Sequence, residues 1–232
     1  EALAPMMLAI ELGYRHIDTA QIYGSEHNVG EAVRRSGVPR EDFFITTKVA
    51  ETRLNRDAFL ASVPKSLETL GMDYVDLLLV HWPNEAVPFE EYMTALAEAQ
   101  QRGWTKLIGV SNFTIAHLDA ARALLGEGAL ATNQVEVHPF LQVPKMRDYA
   151  RQHGLLLTAY QPIAKGTVND DPVMQRIGAA HGVPPTTISL AFLMTEGHIV
   201  IPSAGSEEHL RDNLAAREIA LSADEMDAIR AL

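Results

Sequence analysis

The sequence predicts an α/β fold, a (β/α)8 TIM barrel whose first strand is missing from the chain, as a single domain over residues 1–232. Three observations predict it. Short apolar runs alternate with amphipathic stretches of helical period. The runs show little period-2 alternation, as expected of strands buried on both faces. Each run also carries a polar residue within its last three positions, at the strand end where barrels of this class build their active sites. A doubly wound open sheet is the alternative, but it should carry a Gly-rich phosphate turn after its first strand. No GxGxxG occurs, and the glycines of "GWTKLIGVSN" do not open a helix on that pattern.

The elements follow in order. A helix over residues 1–12 opens the chain. The first run, "HIDTA" (16–20), is followed by "FFITTKV" (43–49), "VDLLLVH" (75–81), "TKLIGVSN" (105–112), "ATNQVEV" (131–137), "LLLTAYQ" (155–161) and "HIVIPSA" (198–204). Helical stretches over 56–70, 89–102, 115–125, 144–153, 172–181, 185–196 and 207–216 lie after them. In "SADEMDAI", Ser222 followed three residues later by Glu225 has the pattern of a capping box opening a last helix. Seven strand–helix pairs preceded by a helix make a barrel of eight short by one strand. The C-terminal tail is equally short, the chain ending at "IRAL".

Composition narrows the function. The chain has 232 residues, 47% hydrophobic and 21% charged, which is ordinary for a globular protein. A net charge of −11 argues against nucleic-acid binding, which needs clustered Lys and Arg. It reads as a solubilising surface. There is no cysteine, hence no thiolate metal site or disulfide framework. No apolar run approaches membrane-spanning length and no signal peptide is visible, so the expectation is a cytoplasmic protein with no membrane partner.

The polar strand ends carry the chemistry. They are Asp18 with Tyr23 just beyond, Lys48, His81 with Trp82, Ser111 and Asn112, Gln134 with Glu136 and His138, Tyr160 and Gln161, and Pro202 and Ser203. A tyrosine is a poor acid near neutrality, with a pKa of about 10. A neighbouring ammonium favours its phenolate. Lys48 can supply that charge, and Asp18 can balance Lys48 near a barrel core. His81 can hydrogen-bond a substrate oxygen or share in proton transfer. Such a cluster delivers a proton to a polar atom such as a carbonyl oxygen. It has no evident nucleophile or metal cage, so a hydride-carrying cofactor is implied.

With these motifs in order, "GYRHIDTAQIYGSEHNVG", "ITTKV", "DYVDLLLVHWP", "IGVSNF", "NQVEVHPFLQ", "TAYQPIAKG" and "IPSAGSEEHLRDN", the chain resembles the aldo-keto reductase superfamily over essentially its whole length. Within it, the chain is most similar to bacterial 2,5-diketo-D-gluconate reductases of the B type. The resemblance implies NADPH-dependent reduction of small polar aldehydes and ketones, keto-sugar acids and methylglyoxal-like substrates, by a monomer. Tyr23 would be the general acid, tuned by Lys48 and Asp18, with His81 orienting the carbonyl. Ser111, Asn112 and Gln134 would hold the nicotinamide carboxamide, and Tyr160 would stack on the ring. Gln161, Pro162 and Ile163 would run along the pyrophosphate. Ser203, Ala204, His209, Asp212 and Asn213 would surround the adenosine end, and Trp82 would wall the substrate pocket.

The sequence departs from the pattern at two places. Members that strongly prefer NADPH carry a lysine after "IP" and an arginine six residues on, the groups that best grip a 2′-phosphate. Here Ser203 and His209 stand there, and Arg211 would lie on a different helical face. The expectation is NADPH with NADH tolerated. The second departure is the missing first strand, which in the family borders the active site. Two other functions stay open: a metal-dependent barrel hydrolase using His81, Glu136 and His138, and a nicotinamide-binding redox sensor without turnover. Glu26 and His138 read more readily as supports for their loops, and His16, His117, His153 and His181 as surface or helix-end residues.

Overall fold

The computed structural model describes residues 3–232. In chain order the elements are α1 (Leu3–Glu11), β1 (His16–Asp18), α2 (Glu26–Ser36), β2 (Phe44–Val49), α3 (Arg56–Leu70), β3 (Val75–Val80), α4 (Phe89–Gln101), β4 (Thr105–Ser111), α5 (Ile115–Leu125), β5 (Leu130–Glu136), α6 (Pro144–Gln152), β6 (Leu156–Tyr160), α7 (Pro172–His181), α8 (Pro185–Thr195), β7 (Ile199–Val200), α9 (Glu207–Ala215) and α10 (Ala223–Arg230). Among the described residues seven strands form one sheet in the order β1-β2-β3-β4-β5-β6-β7. The β1–β2, β2–β3, β3–β4 and β6–β7 pairings are parallel. This is the strand succession of a (β/α)8 barrel, of which seven strands lie among the described residues. No helix among the described residues is long and apolar enough to cross a membrane.

The chain forms two compact units, the first comprising the residues up to Asn133 with His153–Leu155, the second Gln134–Gln152 with Leu156–Leu232. In the first unit β3 is buried along its whole length, and β2 everywhere but at its first residue. That is why neither sequence shows a period-2 apolar–polar alternation. Strand β4 departs from the expected pattern, with Lys106 and Leu107 exposed near its start. Its Gly109 has a packing role: a Cβ there would lie 2.8 Å from both Leu79 Cδ2 and the Thr132 carbonyl oxygen. Gly30 lets α2 cross close over α3, since a Cβ would fall 2.0 Å from the Leu70 carbonyl oxygen. Helix α3 starts at Asn55, whose side chain accepts from the Ala58 amide, and stops at Gly71 in the left-handed region.

In the second unit α8 is buried on nearly all sides. Buried Glu196 accepts from Arg147 and from Arg230 (Nη2, 2.6 Å), tying α6 and α10 to the end of α8. The expected capping box opens α10: Ser222 Oγ accepts from the Glu225 amide at 3.3 Å, and Glu225 Oε2 from the Ser222 amide at 2.8 Å. Strand β7 is shorter than the run 198–204. Ile201 N still donates to the Ala159 carbonyl at 3.2 Å, but regular pairing ends at Val200.

Candidate active site

Lys48 is the next-to-last residue of β2 and is fully buried. Asp18, which ends β1, pairs with Thr46, so Lys48 lies two residues further along β2 on the same face. Lys48 Nζ donates to Asp18 Oδ1 and, at 2.9 Å, to the Thr19 carbonyl. Burial pulls the Lys48 ammonium below its ordinary pKa, and Asp18 offsets this only in part.

Tyr23 ends a 3₁₀ turn, Gln21–Tyr23, that leaves β1 through extended Ala20 and closes on Gly24 at φ 66°. Its ring is half exposed. The hydroxyl lies 3.4 Å from His81 Nε2, the two rings meet edge to face at 5.5 Å, and Lys48 Nζ lies 5.1 Å from the phenol centroid. His81 follows β3 and is 6% exposed. Burial, then the charge of Lys48, holds its imidazole below the usual histidine pKa, against the opposite pull of Glu51 and Asp18. It is neutral at pH 7, and among the described residues its buried Nδ1 has no hydrogen-bond partner. Ile22 and Trp82 are also about half exposed, leaving apolar surface next to the tyrosine and histidine.

The surrounding bonds fix these elements. Glu26 Oε1 accepts from Thr47 Oγ1 at 2.6 Å, joining the start of α2 to the residue before Lys48. Glu26 thus braces β2. Ser111 ends β4, and Asn112 adopts φ 62°, a left-handed conformation uncommon outside glycine. Asn112 Nδ2 donates to the His81 carbonyl and to Ser111 Oγ, both at 3.1 Å. Asp18, Tyr23, Lys48 and His81 therefore share one place in the first unit, and the Ser111–Asn112 pair is bonded to His81.

In the second unit Gln134 is buried on β5 and Tyr160 ends β6. Burial, then the Glu136 charge, raises the Tyr160 phenol above its ordinary value, so this tyrosine stays neutral. Gln161 has φ 50°, the Pro162 carbonyl accepts from Ser189 Oγ at 2.6 Å, and Ile163 packs on the core. Ser203 is exposed and Ala204 partly buried ahead of α9. Ser206 caps that helix by accepting from the His209 amide at 3.3 Å. His209 is exposed, Asp212 and Asn213 are partly buried, and the Asp212 carbonyl accepts from Thr187 Oγ1 at 3.2 Å. Arg211 Nη2 is paired with Glu207 Oε1 at 2.7 Å. Side-chain amides, hydroxyls and a neutral phenol are the donor set a nicotinamide carboxamide and ring would use, so the residues fit the cofactor.

One histidine stands otherwise than the sequence suggested, two stand as it suggested, and one glutamine stands where it was silent. His16 opens β1, its imidazole edge-on to Phe44 and its Nε2 3.3 Å from Thr46 Oγ1, so burial lowers its pKa. It is partly buried and held by the neighbouring strand. His138 and Leu141 exchange backbone hydrogen bonds at 3.2 and 2.8 Å, holding the turn after β5. Its Nε2 lies 3.5 Å from Glu136 Oε1, and among the described residues no group of three or more His, Asp or Glu side chains is placed to hold a metal. His117 completes the capping box of α5 with Thr114. Gln21 was not singled out by the sequence, yet bonds to Ala50 and to two buried serines of α3. The available signal was Ser62 and Ser66, two polar residues one turn apart on the apolar face of α3.

The Aldo/keto reductase family model matches residues 1–232. The chain is 45% identical over 232 residues to methylglyoxal reductase DkgB of Salmonella typhi, covering 99% of this chain and 87% of the relative. It is 46% identical to methylglyoxal reductase DkgB of Escherichia coli O157:H7, with the same coverage. A crystal structure assigned provisionally as 2,5-diketo-D-gluconic acid reductase B superposes with a TM-score of 0.95 at 43% identity, covering 99% of this chain and 83% of that one. An aldo/keto reductase from Brucella melitensis gives 0.94 at 34% identity, with 99% and 89% coverage.

Proposed function

We propose that this chain, which belongs to the aldo/keto reductase family, reduces small aldehydes and ketones to alcohols with NADPH, Tyr23 giving the proton. The bound nicotinamide supplies the hydride. Tyr23 passes its hydroxyl proton to the carbonyl oxygen as that oxygen gains charge, and the half-exposed phenolate is reprotonated from water. Lys48, held charged beside the ring, stabilises the phenolate left behind. His81 is neutral, and its unpartnered Nδ1 is better borne as a lone pair than as a buried N–H, which puts the proton on Nε2. From there it donates to the carbonyl oxygen and orients it.

The carrying observation is a fully buried lysine 5.1 Å from the centroid of a half-exposed tyrosine. A surface tyrosine needs no such neighbour. Ser111, Asn112, Gln134 and Tyr160 are proposed to hold the nicotinamide, Gln161 to Ile163 the pyrophosphate, and Ser203, Ala204, His209, Asp212 and Asn213 the adenosine end. Near a 2′-phosphate the first turn of α9 offers Glu207 and Glu208, and Arg211 is already paired. NADH is therefore accepted alongside NADPH. The names of the relatives support methylglyoxal-like dicarbonyls and keto-sugar acids as substrates. In Tyr23→Phe, turnover of methylglyoxal should fall by about 10³-fold, within the range general-acid catalysis supplies, while quenching of protein fluorescence by NADPH stays as in the wild type. Near-normal turnover would overturn the mechanism.

A further inference from the structure

Tyr23 poses a positioning problem. It sits beyond the end of β1, on a turn, with 53% of its surface exposed. Core packing fixes Lys48 and His81, but it holds only half of the phenol. Proton transfer requires the hydroxyl at hydrogen-bond reach of its target, and a displacement of about 1 Å can cost about 10²-fold in rate. Something must set the turn against β2.

Gln21, two residues before Tyr23, uses both ends of its carboxamide. Its Oε1 accepts from the amide of Ala50 at 3.1 Å. Its Nε2 donates to Ser62 Oγ and Ser66 Oγ, each at 3.1 Å, and approaches the Ser62 carbonyl at 3.5 Å. Ala50 lies two residues after Lys48. Ser62 and Ser66 are 5% and 3% exposed on α3, one helical turn apart, among buried Phe59, Val63 and Leu67. Ser62 Oγ gives its own proton to the Phe59 carbonyl at 2.8 Å, which leaves a lone pair for Gln21. Two hydroxyls on an otherwise apolar face are a cost to the fold unless bonded. Few side chains can meet these demands. Asparagine is one carbon shorter, leucine has neither donor nor acceptor, and glutamate lacks the N–H pair.

We propose that Gln21 is a positioning residue, its carboxamide fastening the turn that carries Tyr23 to the end of β2 and to α3 and so setting the Tyr23 hydroxyl against Lys48 and His81. It touches neither substrate nor cofactor. The inference rests on the reading of Tyr23 as the proton donor. A side chain that only stabilised the fold would change the melting temperature and leave kcat per folded molecule alone. A positioning residue changes kcat and leaves KM and cofactor affinity in place.

The experiment compares wild type, Gln21→Leu, Gln21→Glu, Ser66→Ala and Tyr23→Phe in full-length protein, by steady-state kinetics with methylglyoxal and NADPH, NADPH fluorescence titration and thermal unfolding. Gln21→Leu should lose kcat at least about tenfold, with KM and NADPH affinity within about twofold. Gln21→Glu keeps the acceptor for Ala50, and the serine hydroxyls can turn to donate to it, so it should recover part of the loss. Ser66→Ala removes one anchor and should lose about threefold. It decides the matter should Gln21→Leu fail to fold. Wild-type kcat in folded Gln21→Leu, or in Ser66→Ala if the former does not fold, overturns the inference. So does a loss carried wholly by NADPH affinity. Retained turnover in Tyr23→Phe would instead overturn the reading beneath it.

Discussion

Lys48 and Asp76 are buried charges on neighbouring strands of the first unit, and they are balanced in opposite senses. Asp76, near the start of β3, is 4% exposed. Its carboxylate accepts from the Ile45 amide at 2.9 Å and from Arg40 Nη2 at 2.8 Å, and Lys106 Nζ stands 2.9 Å away. Arg40 and Lys106 also flank the Tyr74 ring, at 4.5 and 4.4 Å from its centroid. Burial alone would raise the Asp76 pKa, but these partners together hold it below the usual carboxylate value. Lys48, near the end of β2, has one carboxylate and one carbonyl, and burial wins. One charge is over-compensated and staples three strands at their N-terminal ends. The other is under-compensated at the C-terminal ends, where this fold class places its chemistry. A charge held at a disadvantage can do work on a neighbour, while one held in surplus stays inert.

Exchanging the charged group for an uncharged one at each position should separate the two roles. The largest effect is expected at Lys48→Met, with turnover of methylglyoxal reduced by about 10² to 10³-fold in steady-state assays while the protein still binds NADPH. Asp76→Asn should retain kcat per folded molecule within about twofold. It should lose about 3 kcal/mol of stability in urea unfolding at pH 7, because two cations are left without their carboxylate. The sign with pH follows from the depressed pKa. The Asp76 contribution is present above the unfolded carboxylate pKa of about 3.9 and is lost as pH falls through the lower folded value, so the gap to wild type should close in acid. The smallest effect is expected at Glu51→Gln. Glu51 counteracts the burial and the Lys48 charge that lower the His81 pKa. Removing its charge should move the acid limb of the kcat/KM profile to lower pH, by less than about one unit.

The elements that the sequence revealed are those whose signal is local. The seven runs were legible because each is a short, mainly apolar stretch without period-2 alternation, set between stretches of helical period. Asp18, Lys48 and His81 were legible because each is a polar residue at the end of such a run. What stayed hidden depends on distant partners. Gln21 bonds to serines 41 and 45 residues away, which no periodicity reports. His16 looked like a surface residue because nothing in "GYRHID" says that Phe44 and Thr46 will lie beside it. The difference between Lys48 and Asp76 was hidden for the same reason, since Arg40 and Lys106 approach Asp76 from either side, 36 and 30 residues away in sequence.

The central claim is that Lys48 is an under-compensated charge poised beside Tyr23. A heteronuclear NMR titration of the Lys48 side-chain ammonium in the free enzyme, assigned with Lys48→Arg, tests it most directly. The predicted result is a pKa below the ordinary lysine value of about 10.4. A Lys48 that titrates at or above that value, as a lysine in a fully compensated ion pair would, contradicts the account.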